Sequence, residues 1–334
     1  MVNMGKQITL AELGRVLGLD KSSISLALRG SPRVSENTRA RVQAAARKYG
    51  YKPNLAARQL RNSGPQSVSL VMPAGMEPLA HSEPVSTIRH LTDLVARNGL
   101  LFTIVSGPGL ESVLSGRSGY PLLPDGVFIW GDVSAGMADA CAQRDIAHVA
   151  LDPNHPSYAT YTGPLVRIDN RAGAAALTRH LLERGAQRLF FVQTTSRHLS
   201  HDDRHQAARQ EWLAARSTQG LTFCYLDELK DEDLRQFATE PHGAIQCSND
   251  EGAVRVWHRL ARMGFQVPER VLLAGFDGDE LGRLIGLTTA VFDAASLAET
   301  GWNLLHQLMA ETDESADPGP QRTVPVALRV GRTT

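Results

Sequence analysis

Two hydrophobic patterns divide the chain near residue 65. Before this point, small apolar residues recur at helical spacing within short segments. Beyond it, short apolar runs alternate with longer amphipathic segments. The chain is therefore predicted to fold as a small all-α head followed by a larger α/β body.

The head pattern predicts three helices, over Leu10–Val16, Lys21–Arg29 and Glu36–Tyr49. The first two would meet at a tight turn around Gly18, and this arrangement is typical of a helix-turn-helix that enters the DNA major groove. A capping residue is expected before each helix: Thr9, Asp20 and Ser35.

The second helix is the candidate recognition helix. Ile24, Ala27 and Leu28 would pack inward, which leaves a polar face for DNA. Because the N-terminal end of a recognition helix meets base edges, Lys21 and Ser22 are the expected base contacts. Ser25 and Arg29 would lie nearer the phosphates.

A short segment after the head has the features of a hinge. Pro53 breaks the chain, and Asn54 can cap a helix too short to be stable alone in water. Arg58 can meet phosphate, and Leu60 can wedge between base steps in the minor groove. An ordinary linker is the alternative interpretation of this segment.

Residues 9–60 resemble the DNA-binding head and hinge of LacI/GalR transcription factors. The similarity is carried by TLAELGRVLGL, then SSISLALRGSPRVSENTRARV, then YGYKPNLAARQL. It implies that Leu60 opens the central step of the operator. The DNA-binding residues expected from pattern and resemblance together are Thr9, Lys21, Ser22, Ser25, Leu26, Arg29, Asn54, Ala57, Arg58 and Leu60. Many members carry Arg or His where this chain has Leu26, which can touch a thymine methyl but cannot donate a hydrogen bond.

The body pattern predicts two series of strands that alternate with helices. The first series is Ser67–Met72, Leu100–Val105, Gly126–Trp130 and His148–Leu151, and the second is Arg188–Val192, Thr222–Leu226, Ala244–Cys247 and Val271–Phe276. Such alternation favours two doubly wound parallel-sheet subdomains, with a ligand between them at the carboxyl ends of the strands. The expected boundaries are 1–52 for the DNA-binding domain, 53–65 for the hinge and linker, and 66–334 for the effector-binding and dimerisation domain. Within the last, subdomain 1 should span about 66–163 and 293–321, and subdomain 2 about 164–292 and 322–334.

The body also resembles the effector domain of the same family, which is related to periplasmic sugar-binding proteins. The similarity is clearest in VRIDNRAGAAALTRHLLERGAQRLFFV, in AIQCSNDEGAVRVWHRLARMGFQVPERVLLAGFDGDEL and in the closing VALRV. It implies that Asp152, Arg204, Asn249 and Asp277 line an effector pocket. A planar guanidinium suits a clamp on hydroxyl or carboxylate groups, and amide and carboxylate oxygens accept bonds from sugar hydroxyls.

Other residues leave alternatives open. Phe292 could stack on a ring face, and Trp130 could line the cleft. Asp277 and Asp250 could instead cap the helices that follow their strands. The run of His198, His201 and His205 could be taken for a metal site, but no further ligand set supports one. Neither a metal nor a cofactor is expected.

Charge separates the head from the body. Residues 1–64 hold twelve Lys or Arg and three Asp or Glu, a net charge of +9, and the remaining residues carry −9 because the whole chain is balanced. This polarity indicates that the head meets a polyanion.

Cys141, Cys224 and Cys247 fit no disulfide or metal pattern and are expected to be buried free thiols. The sequence shows neither a signal peptide nor an apolar run long enough to span a membrane. The chain is therefore expected in the cytoplasm, associated with the nucleoid through DNA binding.

These features together predict a homodimeric, ligand-responsive transcriptional regulator, a repressor, on a pseudo-palindromic operator. Its effector would be a small molecule, with a sugar or sugar derivative as the family-level expectation. A solute-binding protein without a transcriptional role is the alternative. An enzyme is not expected, because no phosphate loop or catalytic constellation is present and the Gly-Pro-Gly at 107–109 is interpreted as a turn.

Overall fold

A computed structural model describes residues 10–28, 34–49, 65–74, 82–116, 123–194, 198–216, 220–310 and 319–334. The chain divides into two compact units, Met1–Gly64 and Pro65–Thr334.

The smaller unit contains the predicted helices, α1 (Leu10–Leu17), α2 (Lys21–Leu28) and α3 (Glu36–Lys48). Two of the expected caps are present. Asp20 Oδ1 accepts from the backbone N–H of Ser23 at 2.9 Å, and Ser35 Oγ accepts from that of Thr38 at 3.3 Å. The third expected cap, Thr9, lies outside the described residues.

A small apolar core joins these helices. Its buried members are Leu13, Ile24, Ala27, Val42, Ala45 and Ala46. The turn between α1 and α2 needs glycine twice. Gly18 has a φ of +66°, and a Cβ at Gly14 would lie 2.7 Å from the carbonyl oxygen of Leu19. The helix-turn-helix geometry therefore depends on these two glycines.

The larger unit is built on two six-stranded sheets. The first sheet is parallel throughout. Its spatial order is β11 (Gln321–Val324), β5 (Leu165–Ile168), β4 (Ala147–Leu151), β3 (Gly126–Trp130), β1 (Ser67–Met72), β2 (Leu101–Ser106).

The second sheet is parallel except at one edge, where β12 runs antiparallel to β10. Its spatial order is β12 (Val326–Arg329), β10 (Thr288–Phe292), β9 (Val271–Asp277), β8 (Gly243–Cys247), β6 (Arg188–Gln193), β7 (Leu221–Tyr225). The subdomains are thus doubly wound, as predicted, with one antiparallel strand closing the second.

Helices connect the strands. In chain order they are α4 (Ser82–Arg97), α5 (Gly107–Leu114), α6 (Gly136–Ala142), α7 (Asn170–Glu183), α8 (Leu199–Arg216), α9 (Asp231–Thr239), α10 (Asp250–Arg262), α11 (Glu280–Leu284) and α12 (Ala294–Ala310). A 3-10 helix spans Pro156–Thr160. Within the described ranges, no helix has the length and apolar character that crossing a membrane requires.

Three expectations need correction. The Gly-Pro-Gly at 107–109 is not an isolated turn but the start of α5, where Ser106 Oγ accepts from the backbone N–H of Gly109 at 3.2 Å and proline fits the first helical turn. The chain crosses between sheets later than expected, because both β5 and β11 still belong to the first sheet. Cys141 and Cys247 are buried free thiols, but Cys224 is only partly buried.

One large apolar cluster takes side chains from both sheets, among them Phe128 and Phe276, and from the helices, among them Trp302 on α12. Close helix-to-sheet packing in this cluster requires a glycine on α7. A Cβ at Gly173 would lie 2.7 Å from the Phe276 ring and 2.8 Å from a methyl of Val326. The second sheet is therefore in direct contact with α7 at this point.

We predict that Gly173→Ala destabilises the larger unit by about 1–3 kcal/mol, although alanine favours helices more than glycine does. Gly136→Ala is the matched control, since its Cβ would meet only Ser134 Oγ at an ordinary 3.5 Å. Urea unfolding of both variants measures the difference. Equal stability of the two variants would contradict the packing described for α7.

Candidate functional site

Polar side chains gather at the carboxyl ends of strands from both sheets. Asp152 follows β4 with a φ of +39°, and Asp277 ends β9 with a φ of +106°. Non-glycine residues with positive φ are strained, and such strain is concentrated at functional sites. The two carboxyl groups, one from each subdomain, interact electrostatically with each other and with Arg204.

Arg204 on α8 forms the centre of this group, and only 4% of its surface is exposed. Its Nε donates to Asn170 Oδ1 at 2.8 Å, and its Nη1 donates to the carbonyl oxygen of Ser248 at 2.7 Å. The same Nη1 lies 3.1 Å from Asp277 Oδ1. These bonds hold the plane of the guanidinium in one orientation.

The ring of Phe276 supports the guanidinium from one face. Arg204 Cζ lies 3.7 Å from the ring centroid, within cation–π distance. Since Phe276 also packs against α7 near Gly173, the arginine rests on the core of the second subdomain.

Both carboxyl groups have perturbed acidity. Burial raises the pKa of Asp277 to about 6, although the neighbouring Arg204 opposes the rise. Burial also raises the pKa of Asp152, against the attraction of Arg204 and a bond that Oδ1 accepts from the backbone N–H of Ile168 at 3.3 Å. Buried carboxyls with raised pKa values beside a guanidinium are typical of binding sites.

Asn249 has a structural task that limits its chemistry. Its Oδ1 accepts from the backbone N–H of Gly252 at 2.9 Å and so caps α10. This bond uses one of the two lone pairs of the oxygen, so the expected contact of Asn249 with a ligand stays a prediction, through the other lone pair or through the amide NH2.

The two aromatic candidates lie in the apolar core. Trp130 ends β3 beside Leu151, and Phe292 ends β10 beside the end of β9. Both are at least nine-tenths buried and belong to the large cluster. Their contact with a ligand ring stays a prediction.

The histidine run does not form a metal centre. His201 is buried, with Nδ1 3.4 Å from Thr194 Oγ1 and 3.5 Å from Ser248 Oγ, whereas His205 stacks on Phe223 with centroids 4.2 Å apart. Burial and the charge of Arg204 keep the pKa of His201 well below its usual value, so the ring is neutral. Within the described ranges, no group of His, Cys, Asp or Glu side chains is arranged to hold a metal.

The capping alternative for the acids at strand-to-helix turns proves wrong for both residues. Asp279 caps α11, where its Oδ1 accepts from the backbone N–H of Gly282 at 2.6 Å. Asn249 caps α10. The carboxyl group of Asp277 can thus pair with Arg204, and that of Asp250 accepts hydrogen bonds from Thr289 and from the backbone N–H of Asp279.

Two partners of Arg204 escaped the sequence interpretation. Asn170 opens α7 within the motif DNRAG, and Ser248 precedes Asn249. A buried guanidinium needs several hydrogen-bond acceptors, so the sequence could have indicated that Arg204 has further partners. The sequence does not indicate which residues these partners are. A contact between subdomains was also missed, in which the backbone N–H of Leu199 donates to the carbonyl of Asn154 at 3.0 Å.

The DNA-contact candidates fall on the less well described part of the chain. Thr9, Arg29, Asn54, Ala57, Arg58 and Leu60 lie outside the described residues. Lys21, Ser22 and Ser25 lie on α2, but their side chains are not among those described. Leu26 lies on α2 and is half-buried. The contacts of all ten with DNA stay predictions.

Two family profiles match the chain. The profile described as "Bacterial regulatory proteins, lacI family" matches residues 10–54, and the profile described as "Periplasmic binding protein-like domain" matches residues 178–334. The first covers the three helices of the smaller unit. The second covers most of the second subdomain, including Arg204, Asn249 and Asp277.

Individual proteins match over most of their length. The transcriptional regulator GalR of Escherichia coli K12 is 26% identical over 310 residues, which are 87% of this chain and 86% of GalR. The lac repressor dimer bound to operator and an anti-inducer superposes with a TM-score of 0.76 at 19% identity, over 98% of this chain and 99% of that one. The complex of the regulator CelR with cellobiose superposes with a TM-score of 0.67 at 18% identity, over 98% and 100%.

We predict that Asn170→Ala destabilises the larger unit by about 1–3 kcal/mol, because Arg204 Nε would remain buried without its acceptor. Arg171→Ala is the matched control. It removes exposed bonds from the next residue of α7 to Asp203, Gln206 and Gln210, and should cost at most about 1 kcal/mol. Chemical denaturation compares the two, and a larger loss in Arg171→Ala would refute the role given to Asn170.

Proposed function

Because the chain belongs to the LacI family of bacterial regulatory proteins, we propose that it is a ligand-responsive transcriptional repressor. It binds a pseudo-palindromic operator as a homodimer and takes a sugar or sugar derivative between its two subdomains. Regulators of this kind release their effector unchanged, and no catalytic role is proposed for any residue.

The observation that carries the proposal is the DNA-binding head on a periplasmic binding protein-like body. The lacI-family profile covers all three helices of the smaller unit, and residues 1–64 carry a net charge of +9. Arg15, Arg41, Arg47 and Lys48 are exposed on that unit and available to phosphates. A solute-binding protein without a transcriptional role would have no use for such a head, so we reject this alternative.

The effector class follows from the charges of the site. Asp152 and Asp277 both interact with the guanidinium of Arg204, and Asp277 already pairs with it; Arg167 adds a weaker attraction at Asp152. An anionic effector would meet two carboxyl groups and an arginine that has its counter-charge, whereas neutral hydroxyl groups can donate to both carboxylates. The cellobiose bound by CelR is a ligand of this neutral, hydroxyl-rich kind.

Exposed apolar residues support the homodimer. β2 is an edge strand of the first sheet, and Leu101 and Ile104 on it are 62% and 38% exposed. Leu284 on α11 is 72% exposed. Exposed apolar side chains on an edge strand and on a helix suit an interface with a second copy, and the lac repressor structure is likewise that of a dimer.

An effector would act through closure of the two subdomains. Asp152 belongs to the first and Arg204 with Asp277 to the second, so a ligand that bonds all three favours the closed arrangement. In a dimer, closure would change the spacing of the two hinges and thereby the affinity for the operator. A protein that works on operator DNA belongs in the cytoplasm, at the nucleoid.

For the DNA function, we predict that Leu60→Ala weakens binding to the selected operator while binding to unrelated duplex DNA changes little, because a wedge acts only where the helix is kinked. Arg58→Ala is the contrasting variant. It should weaken binding to both DNAs and reduce the salt dependence, since it removes a phosphate contact. Fluorescence anisotropy at two salt concentrations, on an operator obtained by selection from a random pool, measures both effects.

Equal losses on both DNAs for Leu60→Ala would exclude the wedge. Affinity of the unaltered chain that does not fall with salt would exclude DNA binding as its function.

For the effector, we predict that one or more neutral mono- or disaccharides raise the thermal midpoint of the full chain. A ligand present at 100 times its dissociation constant stabilises the native state by about 2.7 kcal/mol. Arg204→Ala should abolish the rise, whereas Arg171→Ala on the neighbouring surface should keep it. A rise that survives in Arg204→Ala would place the ligand elsewhere, and a response only to anionic metabolites would refute the effector class.

A further inference from the structure

A buried carboxyl group behind the site joins three segments of the second subdomain. Asp250 is the first residue of α10 and is fully buried. Its Oδ1 accepts from Thr289 Oγ1 on β10 at 2.6 Å, and its Oδ2 accepts from the backbone N–H of Asp279 at 2.8 Å. One side chain thus connects α10, β10 and the turn after β9.

Two glycines make room for this carboxyl group. A Cβ at Gly282 would lie 2.7 Å from Asp250 Oδ2, and a Cβ at Gly275 would overlap Oδ1. The space between β9 and α11 therefore fits the carboxyl of Asp250 only while both positions lack a side chain.

The segment held by Asp250 carries an effector-contact candidate in a strained conformation. Asp277 has a φ of +106° and Gly278 a φ of +77°. A non-glycine residue in such a region is strained and persists only when its surroundings hold it. The bond from Asp279 to Asp250, two residues further on, is a contact that can supply this hold.

We propose that Asp250 is a positioning residue of the effector site: its carboxyl group fastens the turn at 277–279 to β10 and so keeps Asp277 against Arg204. The inference rests on the proposed function, because that function makes Asp277 an effector contact. Asp250 acts only through the turn.

The protonation of Asp250 agrees with this role. Burial, and next the charge of Asp277, raise the pKa of Asp250 to about 8, while the hydrogen bond from Thr289 opposes the rise. The titratable groups that face it are Asp277, Asp279 and the thiol of Cys247, and Arg204 is the cation paired with Asp277. Near neutral pH the carboxyl is therefore mostly protonated. In that form Oδ2 still accepts from the Asp279 N–H, and the proton on Oδ1 is donated to Thr289 Oγ1 with the hydroxyl reversed. Asp277 is then the ionised partner of Arg204.

This protonation state makes asparagine a conservative replacement. An amide oxygen at position 250 can accept from the Asp279 N–H, and an amide NH2 can donate to Thr289 Oγ1 if that hydroxyl reverses. Alanine provides neither bond. Asp250→Asn should thus preserve the position of Asp277, and Asp250→Ala should release it.

The test follows the titration of Asp277 in the unliganded full chain, through the carboxyl carbons of ¹³C-labelled aspartate in NMR spectra. The pKa of Asp277 should be about 6 in the unaltered chain and unchanged in Asp250→Asn. In Asp250→Ala the released side chain gains water, so its pKa should fall by about one or more toward the ordinary carboxyl value. Asp203→Asn is the matched control, an exposed acid beside Arg204 that pairs with Arg171, and should leave the titration unchanged.

An unchanged pKa of Asp277 in Asp250→Ala would overturn the proposal. If that variant does not fold, Thr289→Val decides, because it removes one of the two bonds and should lower the pKa of Asp277 by a smaller amount. No change in Thr289→Val would then overturn it. Neither DNA nor effector is used, so a failure here is distinct from a failure of the proposed function.

The pH dependence of stability supplies a second readout. A carboxyl whose pKa is raised in the folded state keeps its proton there, so stability falls as pH rises from the ordinary carboxyl value to the raised one. Asp250 therefore contributes a loss of stability between about pH 6 and about pH 8, whereas the histidines whose pKa values burial lowers contribute a gain as pH rises through about 6.5. The difference between the two chains isolates Asp250: over this range the thermal midpoint of Asp250→Asn should fall less, or rise more, than that of the unaltered chain. An identical pH dependence in Asp250→Asn would contradict the assignment of this titration to Asp250.

Discussion

The buried guanidinium of Arg204 imposes the constraint on which the candidate site depends. An arginine removed from water is costly unless hydrogen bonds and a counter-charge replace its hydration. Here the replacements come from separate elements: Asn170 from α7, the Ser248 carbonyl from the end of β8, and Asp277 from the end of β9. Because each partner must be in place at once, the arginine fixes the relative positions of a helix and two strand ends.

The same constraint explains why packing and polar chemistry meet at β9. Phe276 lies under the guanidinium with one face and against α7 with its edge, where only a glycine at position 173 leaves room. The next residue, Asp277, turns away from the strand with a positive φ and pairs with the arginine. Adjacent residues of a strand point to opposite sides, so the change in backbone direction is what brings both side chains to Arg204.

The sequence predicted the parts of this arrangement that have a local pattern. Ser67–Met72 and Gly126–Trp130 were predicted to the residue because they are short apolar runs with turn signals around them. β5, β10, β11 and β12 were missed as strands, since Leu165–Ile168 and Thr288–Phe292 mix polar and apolar residues and their partners are far away in the chain. Strand pairing is decided by tertiary contacts that a local pattern does not contain.

For the candidate site too, the sequence predicted features with a local pattern but not those that depend on tertiary contacts. Resemblance and strand-end positions brought out Asp152, Arg204, Asn249 and Asp277. Of these, Arg204 and Asp277 are in contact, and Asp152 interacts electrostatically with both. Which acid caps which helix was not predictable, because Asp250, Asp277 and Asp279 all stand near a strand-to-helix turn. Only the backbone geometry after β9 assigns the cap to Asp279 and frees Asp277 for Arg204.

The contact between Leu199 and Asn154 bears on how an effector could act. The subdomains already meet there, through a backbone hydrogen bond and through the Leu199 side chain, which packs with Ala150, Tyr158 and Leu165 of the first subdomain. A ligand can shift a conformational equilibrium only by the difference between its affinities for the two states. The Leu199 contact involves no ligand atom, so it belongs to the equilibrium of the unliganded chain. The ligand-dependent part must come from groups on opposite sides that a ligand can join, and Asp152 with Arg204 and Asp277 meets that requirement.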